Sequence, residues 1–168
     1  KGSKLTLEIA AMPCNEETLH AQIMEQKPCP DEIATTLSGE ILLADDYPDN
    51  RSFIGSLLTH RGLSVDFVDN GQTAVEQALV KDYDLILMDI QMPVMCGNEA
   101  MQIIKSTGCS TPIVALTANA FEHEIDGYLQ AGFDACLNKP IEQKAFFQTI
   151  CQFLQVTKQD INFANSID

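Results

Sequence analysis

The stretch ILLADD, residues 41–46, joins a short apolar run to two consecutive aspartates, and LILMD, residues 85–89, repeats the pattern with one aspartate. Short apolar runs between polar residues are typical of buried strands in a parallel sheet. In an open α/β sheet, ligands bind beyond the carboxyl ends of the strands. If the two strands are neighbours, the side chains of Asp45, Asp46 and Asp89 therefore converge on one small area.

Three carboxylates in one place favour a positive partner. Two like charges about 4 Å apart repel by roughly 4 kcal/mol at an effective dielectric constant near 20. A hard cation removes this repulsion, and ligands that are all oxygen atoms suit Mg²⁺. The sequence therefore predicts a Mg²⁺ site at Asp45, Asp46 and Asp89.

Strands and helices are predicted to alternate on both sides of these runs. The five strand-like runs lie near residues 41–45, 64–68, 84–88, 112–116 and 134–137. The five helical patterns lie at residues 48–61, 71–81, 98–106, 119–131 and 141–154. Gly62 and Gly132 follow helical patterns as stop signals, and Asn70-Gly71 marks a turn. This alternation predicts parallel βαβ units and an α/β fold.

The flanking segments lack the alternation. Residues 1–39 contain three prolines and no long periodic run, and residues 155–168 lose the helical pattern. We therefore divide the chain into an N-terminal segment (1–39), interpreted as the remnant of another domain plus a linker, one domain (40–154) and a C-terminal tail (155–168).

Composition excludes several classes of function. The formal net charge is −14, and residues 40–154 hold 6 lysines and arginines against 16 aspartates and glutamates. Binding of nucleic acid needs a basic surface, so this class is not expected. No apolar stretch reaches the ~18 residues of a membrane span, and no secretory signal is present. The six cysteines form no CxxC pair, which predicts free thiols in a reducing cytoplasm.

Two further polar residues follow predicted strands. Thr117 closes the run IVAL at 113–116, and Lys139-Pro140 follows the fifth strand. A carboxylate can attack phosphorus and become an acyl phosphate, while lysine supplies a point charge to phosphoryl oxygens. A threonine hydroxyl can donate to the same oxygens. These residues together predict phosphoryl transfer, but they do not decide whether Asp46 or Asp89 is the nucleophile.

Four stretches, in this order, resemble the receiver domain of two-component response regulators. They are ILLADDYPDNR (41–51), DLILMDIQMPVMCG (84–97), TPIVALTANAF (111–121) and AGFDACLNKP (131–140). The resemblance covers residues 40–154 and is to the receivers fused to hybrid sensor histidine kinases. Residues 2–9, GSKLTLEI, resemble the final strand of a histidine kinase ATP-binding domain. The fold implied is flavodoxin-like, a doubly wound sheet of five parallel strands in the order 2-1-3-4-5 with five helices.

The resemblance also assigns roles at the metal site. It implies that Asp89 is the phospho-acceptor and a metal ligand. Asp46 would ligate Mg²⁺ directly, Asp45 would hold it through water, and the main-chain carbonyl of Gln91 would supply another ligand.

Around the phosphoryl group, the resemblance implies contacts from Thr117 and Lys139, with Lys139-Pro140 joined by a cis peptide bond. The sequence departs from the family pattern at two positions. Cys136 stands where the family usually has an aromatic residue that rotates inward on activation, so we expect a muted activation change. Cys96 stands where many relatives have aspartate, which we expect to change only a loop.

The implied function is a receiver that takes a phosphoryl group from phosphohistidine onto Asp89 and catalyses its own phosphorylation and dephosphorylation. Its partners would be a histidine kinase or a histidine phosphotransfer protein. The domain would act in the cytoplasm, as part of a parent kinase that a membrane can anchor.

Two alternatives stay open. A phosphatase of the haloacid dehalogenase type needs Asp-x-Asp after the first strand, whereas here Asp45 and Asp46 are adjacent. A pseudo-receiver that only binds partners would not need Asp89 and Lys139.

Overall fold

Five strands and five helices alternate in the computed structural model, which describes residues 36–118 and 122–154. The strands are β1 (Glu40–Ala44), β2 (Ser64–Val68), β3 (Leu85–Asp89), β4 (Ile113–Thr117) and β5 (Ala135–Asn138). The helices are α1 (Pro48–Thr59), α2 (Gly71–Val80), α3 (Gly97–Ser106), α4 (Glu122–Ala131) and α5 (Gln143–Phe153). All strands pair in parallel in the order β2-β1-β3-β4-β5, which confirms the predicted doubly wound fold.

The strand register brings the polar strand ends to one edge. Ala44 of β1 pairs with Met88 of β3, so the residues after them, Asp45 and Asp89, are neighbours. On the other side of β3, Asp89 pairs with Leu116, the residue before Thr117. β5 extends this edge and ends just before Lys139.

Alternate side chains of the central strands enter two cores, one on each face of the sheet. On one face, Ile41 and Leu43 of β1 pack with residues of α1 and α5. On the other face, Leu42 and Ala44 pack with residues of α2 and α3. Every residue of β3 and β4 is buried, as expected for inner strands that helices cover on both faces. Burial of each large apolar side chain stabilises the fold by about 1.5–3 kcal/mol.

Most described element ends lie within one residue of the sequence prediction, but two helix ends are shifted by two residues. α1 ends at Thr59 rather than at 61. α5 begins at Gln143 rather than at 141, because Glu142 keeps extended backbone angles. Leu37, which the sequence division placed in the linker, is fully buried in the α1 and α5 core and donates its N–H to the carbonyl of Arg61 at 2.7 Å. The fold of the domain therefore starts at least three residues before position 40.

Several predictions fall on residues that the structure does not describe. They are the kinase-domain remnant within residues 1–35, the tail at 155–168 and the first turn of the fourth helix at 119–121. Within the described ranges, none of the helices has the length and apolar character that crossing a bilayer requires.

Candidate functional site

Three carboxylates meet at the carboxyl edge of the sheet. One oxygen from each of Asp45, Asp46 and Asp89 lies within 4.8 Å of the others. Asp45 is fully buried, Asp89 is 6% exposed and Asp46 is exposed. The structure thus brings together the residues that the two apolar runs predicted, because their strands are neighbours. Asp46 is the member of the cluster that solvent reaches.

Lys139 supplies the positive charge inside this cluster. Its Nζ donates to Asp45 Oδ2 at 2.7 Å and to Asp89 Oδ2 at 2.6 Å. The main chain fixes its position, since the Lys139 N–H donates to the carbonyl of Thr117 at 2.7 Å. The Lys139-Pro140 peptide bond is cis, which is the geometry that the resemblance implies. One ammonium group therefore bridges the ends of β1 and β3.

With three carboxylates and one ammonium, the site has a formal charge of −2. The pKa values of Asp89 and Lys139 both differ from their ordinary values. Burial raises the pKa of Asp89, and the neighbouring Asp45 charge adds to this, against the opposing hydrogen bonds from Lys139 and Gln91. Burial alone would lower the pKa of Lys139, but the hydrogen bonds to Asp45 and Asp89 outweigh it and raise this pKa. The pKa of Asp89 is therefore raised mainly by burial, and that of Lys139 is raised by the two carboxylates that it contacts.

Asp45 has further hydrogen-bond donors that sequence reasoning missed. The N–H of Tyr47 donates to Asp45 Oδ1 at 2.9 Å, and Asn50 Nδ2 lies 3.3 and 3.4 Å from the two carboxylate oxygens. The guanidinium of Arg51 donates to the main-chain carbonyl of Asp45. Buried polar groups are almost always satisfied in this way. Asn50 and Arg51 lie in the first turn of α1. The signal that could have predicted these contacts is a polar residue five positions after an aspartate at the end of a strand.

Main-chain hydrogen bonds hold the loop between β3 and α3 close to Asp89. The N–H of Gln91 donates to Asp89 Oδ1 at 3.1 Å, and the N–H of Gly97 donates to the carbonyl of Ile90 at 3.0 Å. A Cβ at position 97 would overlap the main-chain oxygen of Asp89, so glycine is required there. Gln91 thus lies beside Asp89, and the metal role of its carbonyl stays a prediction.

Thr117 lies at the carboxyl edge of the sheet, whereas Cys136 lies inside β5, two residues before its end. Thr117 is the last residue of β4, is 2% exposed and pairs with Asn138 of β5. Cys136 lies opposite Ala115 on β5 and packs, partly buried, against the core on the α2 and α3 face. Burial raises the pKa of its thiol. Its effect on activation stays a prediction.

The donor set suits a hard divalent cation. All three carboxylates offer oxygen, their ligand atoms are close enough to share one ion, and Asp46 is exposed on the solvent side. Oxygen-only ligands with an excess of negative charge are typical of Mg²⁺ sites. The residues present therefore fit the ion that the sequence predicts.

Asp89→Asn should raise the stability of the metal-free domain at neutral pH, because a buried carboxylate with a raised pKa costs stability when it ionises. Below the ordinary pKa of 3.8 the acid is neutral in both the folded and the unfolded state, so the two proteins should unfold alike. As pH rises, the unfolded acid ionises first and the parent loses stability relative to the variant. Urea unfolding in EDTA from pH 3.5 to 7 measures this, and a variant that is less stable at pH 7 would contradict it.

Comparison with known proteins agrees with the geometry. The response regulator receiver domain model matches residues 41–151. The sensor histidine kinase GacS of Pseudomonas protegens is 36% identical over 129 residues, which are 74% of this chain and 14% of GacS. The chain thus spans about a seventh of the length of that curated relative.

Two solved structures are also similar. The receiver domain of the sensor histidine kinase PA1611 from Pseudomonas aeruginosa, with a magnesium ion in its active site cleft, is 36% identical with a TM-score of 0.64, covering 69% of this chain and 97% of that one. The co-crystal structure of the Saccharomyces cerevisiae histidine phosphotransfer protein Ypd1 and the Ssk1 receiver domain contains a chain 28% identical, with a TM-score of 0.65, covering 70% of this chain and 90% of that one. Together with the family match, the fold and the acidic edge, these similarities show that the chain belongs to the response regulator receiver domain family of two-component phosphorelay signalling.

Proposed function

We propose that this receiver domain accepts a phosphoryl group from phosphohistidine onto Asp89 in a reaction that depends on Mg²⁺. The observation that carries the proposal is the single ammonium of Lys139, bound at 2.7 and 2.6 Å to the carboxylates of Asp45 and Asp89. A carboxylate, a buried acidic neighbour and a cation at one edge support the transfer of a charged phosphoryl group.

The positions of the side chains support the following chemistry. A carboxylate oxygen of Asp89 attacks phosphorus, the bond between phosphorus and the donor imidazole nitrogen breaks, and an acyl phosphate forms. Lys139 and the Thr117 hydroxyl would contact the phosphoryl oxygens. Asp45, Asp46 and the Gln91 carbonyl would hold Mg²⁺, which neutralises charge on the transferring group when bound. Hydrolysis of the acyl phosphate by water returns Asp89 to its starting state.

The proposal also covers the partners of the domain and the protein to which it belongs. A phosphorylated histidine kinase or a histidine phosphotransfer protein would be the donor, in keeping with the similarity to the Ypd1 and Ssk1 complex. The parent protein would be a hybrid sensor histidine kinase of the GacS kind, acting in the cytoplasm. The adjacent Asp45 and Asp46, of which Asp45 is buried under Lys139, do not favour the phosphatase alternative.

Intact-mass spectrometry tests the proposal directly. In the presence of Mg²⁺ and acetyl phosphate, the domain should gain one phosphoryl group, and hydroxylamine, which cleaves acyl phosphates, should remove it. Without Mg²⁺ the gain should be strongly reduced. A domain that gains no phosphoryl group under these conditions would support the pseudo-receiver alternative.

Mg²⁺ should raise the Tm of the unmodified domain by mass action. At ten times Kd, a ligand that binds only the folded state adds about 1.4 kcal/mol, which corresponds to a rise of several degrees for a domain of this size. Asp46→Asn should remove most of this rise, because the exposed ligand loses its charge. In EDTA the same variant should be more stable than the parent, since one repelling carboxylate is gone.

Asp49→Asn is the matched control for that measurement. Asp49 is an exposed aspartate in the first turn of α1, three residues from Asp46, and it is not a member of the carboxylate cluster. Its variant should keep the Mg²⁺-dependent rise. An equal rise in Asp46→Asn and in the parent would show that Asp46 does not bind the ion.

A further inference from the structure

Asp45 is a buried carboxylate whose two oxygens accept hydrogen bonds from three groups. Oδ1 accepts from the N–H of Tyr47 at 2.9 Å, and Oδ2 accepts from Nζ of Lys139 at 2.7 Å. The third group is the side-chain amide of Asn50, whose Nδ2 lies 3.3 Å from Oδ1 and 3.4 Å from Oδ2. Because Asp45 is fully buried, its charge depends on such protein donors rather than on solvent.

The contact from Asn50 differs from the other two in its length. Hydrogen bonds from N–H to oxygen are usually about 2.7–3.2 Å long, so Asn50 lies just beyond this range for both oxygens. Its amide nitrogen is almost equally far from the two oxygens and makes two long hydrogen bonds rather than one short one. Asn50 therefore lies within a small side-chain rotation of a strong hydrogen bond that it does not make in this arrangement.

Hydrogen bonds of the main chain hold the backbone on both sides of this contact. The guanidinium of Arg51 donates to the main-chain carbonyl of Asp45. The N–H of Arg51 donates to the carbonyl of Tyr47 at 3.1 Å, in the first turn of α1. Asn50 lies in the same turn and is half-buried. The distance between the Asn50 amide and the Asp45 carboxylate can thus change through side-chain torsions without movement of the backbone.

Lys139 is the donor that the proposed reaction would draw away from Asp45. Its ammonium bridges Asp45 and Asp89, while the N–H of its main chain donates to Thr117. A phosphoryl group on Asp89 would carry up to about two negative charges, more than the carboxylate that it modifies, so the ammonium would follow it. Asp45 Oδ2 would then lose its bond of 2.7 Å, and a buried charge that loses its partner is costly.

We infer that Asn50 is a positioning residue that replaces Lys139 as the donor to Asp45 Oδ2 when the ammonium follows the phosphoryl group. The inference rests on the proposed function, in which Lys139 contacts the phosphoryl oxygens. A neutral amide suits this task, because it donates without adding a positive charge that would compete with Mg²⁺ for the carboxylates. Since its hydrogen bond shortens as the reaction proceeds, Asn50 stabilises the transition state more than the resting state.

A double-mutant cycle in EDTA tests the replacement of one donor by the other without any phosphorylation. The proteins are the parent, Asn50→Leu, Lys139→Met and the double variant, because leucine keeps roughly the size of asparagine and removes its donor. If the amide replaces the ammonium, Asn50 contributes more once Lys139 is lost. The fall in Tm of the double variant should therefore exceed the sum of the two single falls by about 4 °C or more. A double variant that is unfolded where the summed falls predict a folded protein shows the same excess.

Asn70→Leu is the matched control for the cycle. Nδ2 of Asn70 also donates to an aspartate near the end of a strand, Asp69 after β2, at 2.7 Å. Its side-chain oxygen accepts from the N–H of Thr73 at the start of α2, so the variant should itself melt at a lower temperature. Lys139 donates to neither Asp69 nor Thr73 in the hydrogen bonds that hold it at the site, so the falls in Tm of Asn70→Leu and Lys139→Met should add.

The kinetics of labelling give a second readout, which a merely structural role would not move. Acetyl phosphate is the donor, at a Mg²⁺ concentration that saturates each protein. The maximal rate constant of Asn50→Leu should fall about tenfold, the size expected for one hydrogen bond to a charged group. The half-saturating concentration of acetyl phosphate should change less than about twofold, because the lost interaction belongs to the transition state. Asn70→Leu should be labelled like the parent.

Three results would overturn the inference. They are falls in Tm that simply add for Asn50→Leu and Lys139→Met, an equal excess in the pair of Asn70→Leu with Lys139→Met, and an Asn50→Leu protein whose maximal rate constant of labelling matches that of the parent. A parent that acetyl phosphate does not label would instead contradict the proposed function. The cycle in EDTA would still decide whether Asn50 can replace Lys139 at Asp45.

Discussion

Asp89→Asn is expected to abolish phosphorylation of the domain by acetyl phosphate. The amide is not a nucleophile, and Asp45 cannot replace the lost carboxylate, because it is fully buried and held by Tyr47, Asn50 and Lys139. The measurement is the intact mass of parent and variant after incubation with Mg²⁺ and acetyl phosphate. The expected loss is complete rather than partial, since a covalent step without its nucleophile does not proceed.

Asp69→Asn is the control for this result. Asp69 directly follows β2, so it lies at the same edge of the sheet, but it is exposed and outside the carboxylate cluster. This variant should gain the phosphoryl group as the parent does. An undiminished gain in Asp89→Asn would place the acceptor elsewhere, with exposed Asp46 as the first residue to examine by peptide mapping.

Lys139→Met is expected to lower the free energy of unfolding by about 3 kcal/mol at pH 7 in EDTA. Methionine keeps most of the hydrocarbon length, so the change isolates the charge. Removal of one partner from a buried ion pair leaves the other charge uncompensated and typically costs about 3–5 kcal/mol. Here two carboxylates lose their shared ammonium at once, and Asp45 is fully buried. Urea unfolding measures the loss.

Lys105→Met provides the comparison for an exposed pair. Lys105 bonds Asp134 at 2.9 Å, but both side chains are about one third exposed, so the pair should contribute less than about 1 kcal/mol. Mg²⁺ should stabilise Lys139→Met more than it stabilises the parent, because the carboxylate cluster of this variant has lost its ammonium. It should stabilise Lys105→Met only as much as the parent, because the cluster is unchanged in that variant. Equal losses in the two variants would show that burial of the Lys139 pair adds nothing.

The fold was predictable because its signals are local and consistent. Buried parallel strands have continuous apolar runs such as LILM before Asp89, and Gly62 and Gly132 mark helix ends with positive φ. The convergence of the aspartates followed from a general property of parallel sheets, since polar residues at the carboxyl ends of neighbouring strands meet. Strand order, the identity of the acceptor and the cis peptide came instead from the resemblance to a family.

Other features depend on tertiary packing and have no local signal. Leu37 stands in a segment without periodicity, yet it fills the core beside α1 and α5 because the chain passes Arg61 before it enters β1. The positive φ of Val94 accompanies two hydrogen bonds of the next residue: the Met95 N–H donates to the Pro93 carbonyl, and the Met95 carbonyl accepts from the N–H of Gly71 at the start of α2. The hydrogen bonds of Asn50 and Arg51 to Asp45 depend on the direction in which α1 leaves the sheet.

The shortage of positive charge beside Lys139 sets an order of events for the proposed reaction. Two uncompensated negative charges face an incoming phosphoryl group that is itself anionic, so an early encounter is repulsive. A divalent cation held by these carboxylates would bring their formal charge to neutrality, so the donor would meet no net repulsion. The proposed transfer would then need the cation and the phosphorylated partner at the same time. At a low concentration of either one, raising the other should bring the phosphorylation rate only to a low plateau.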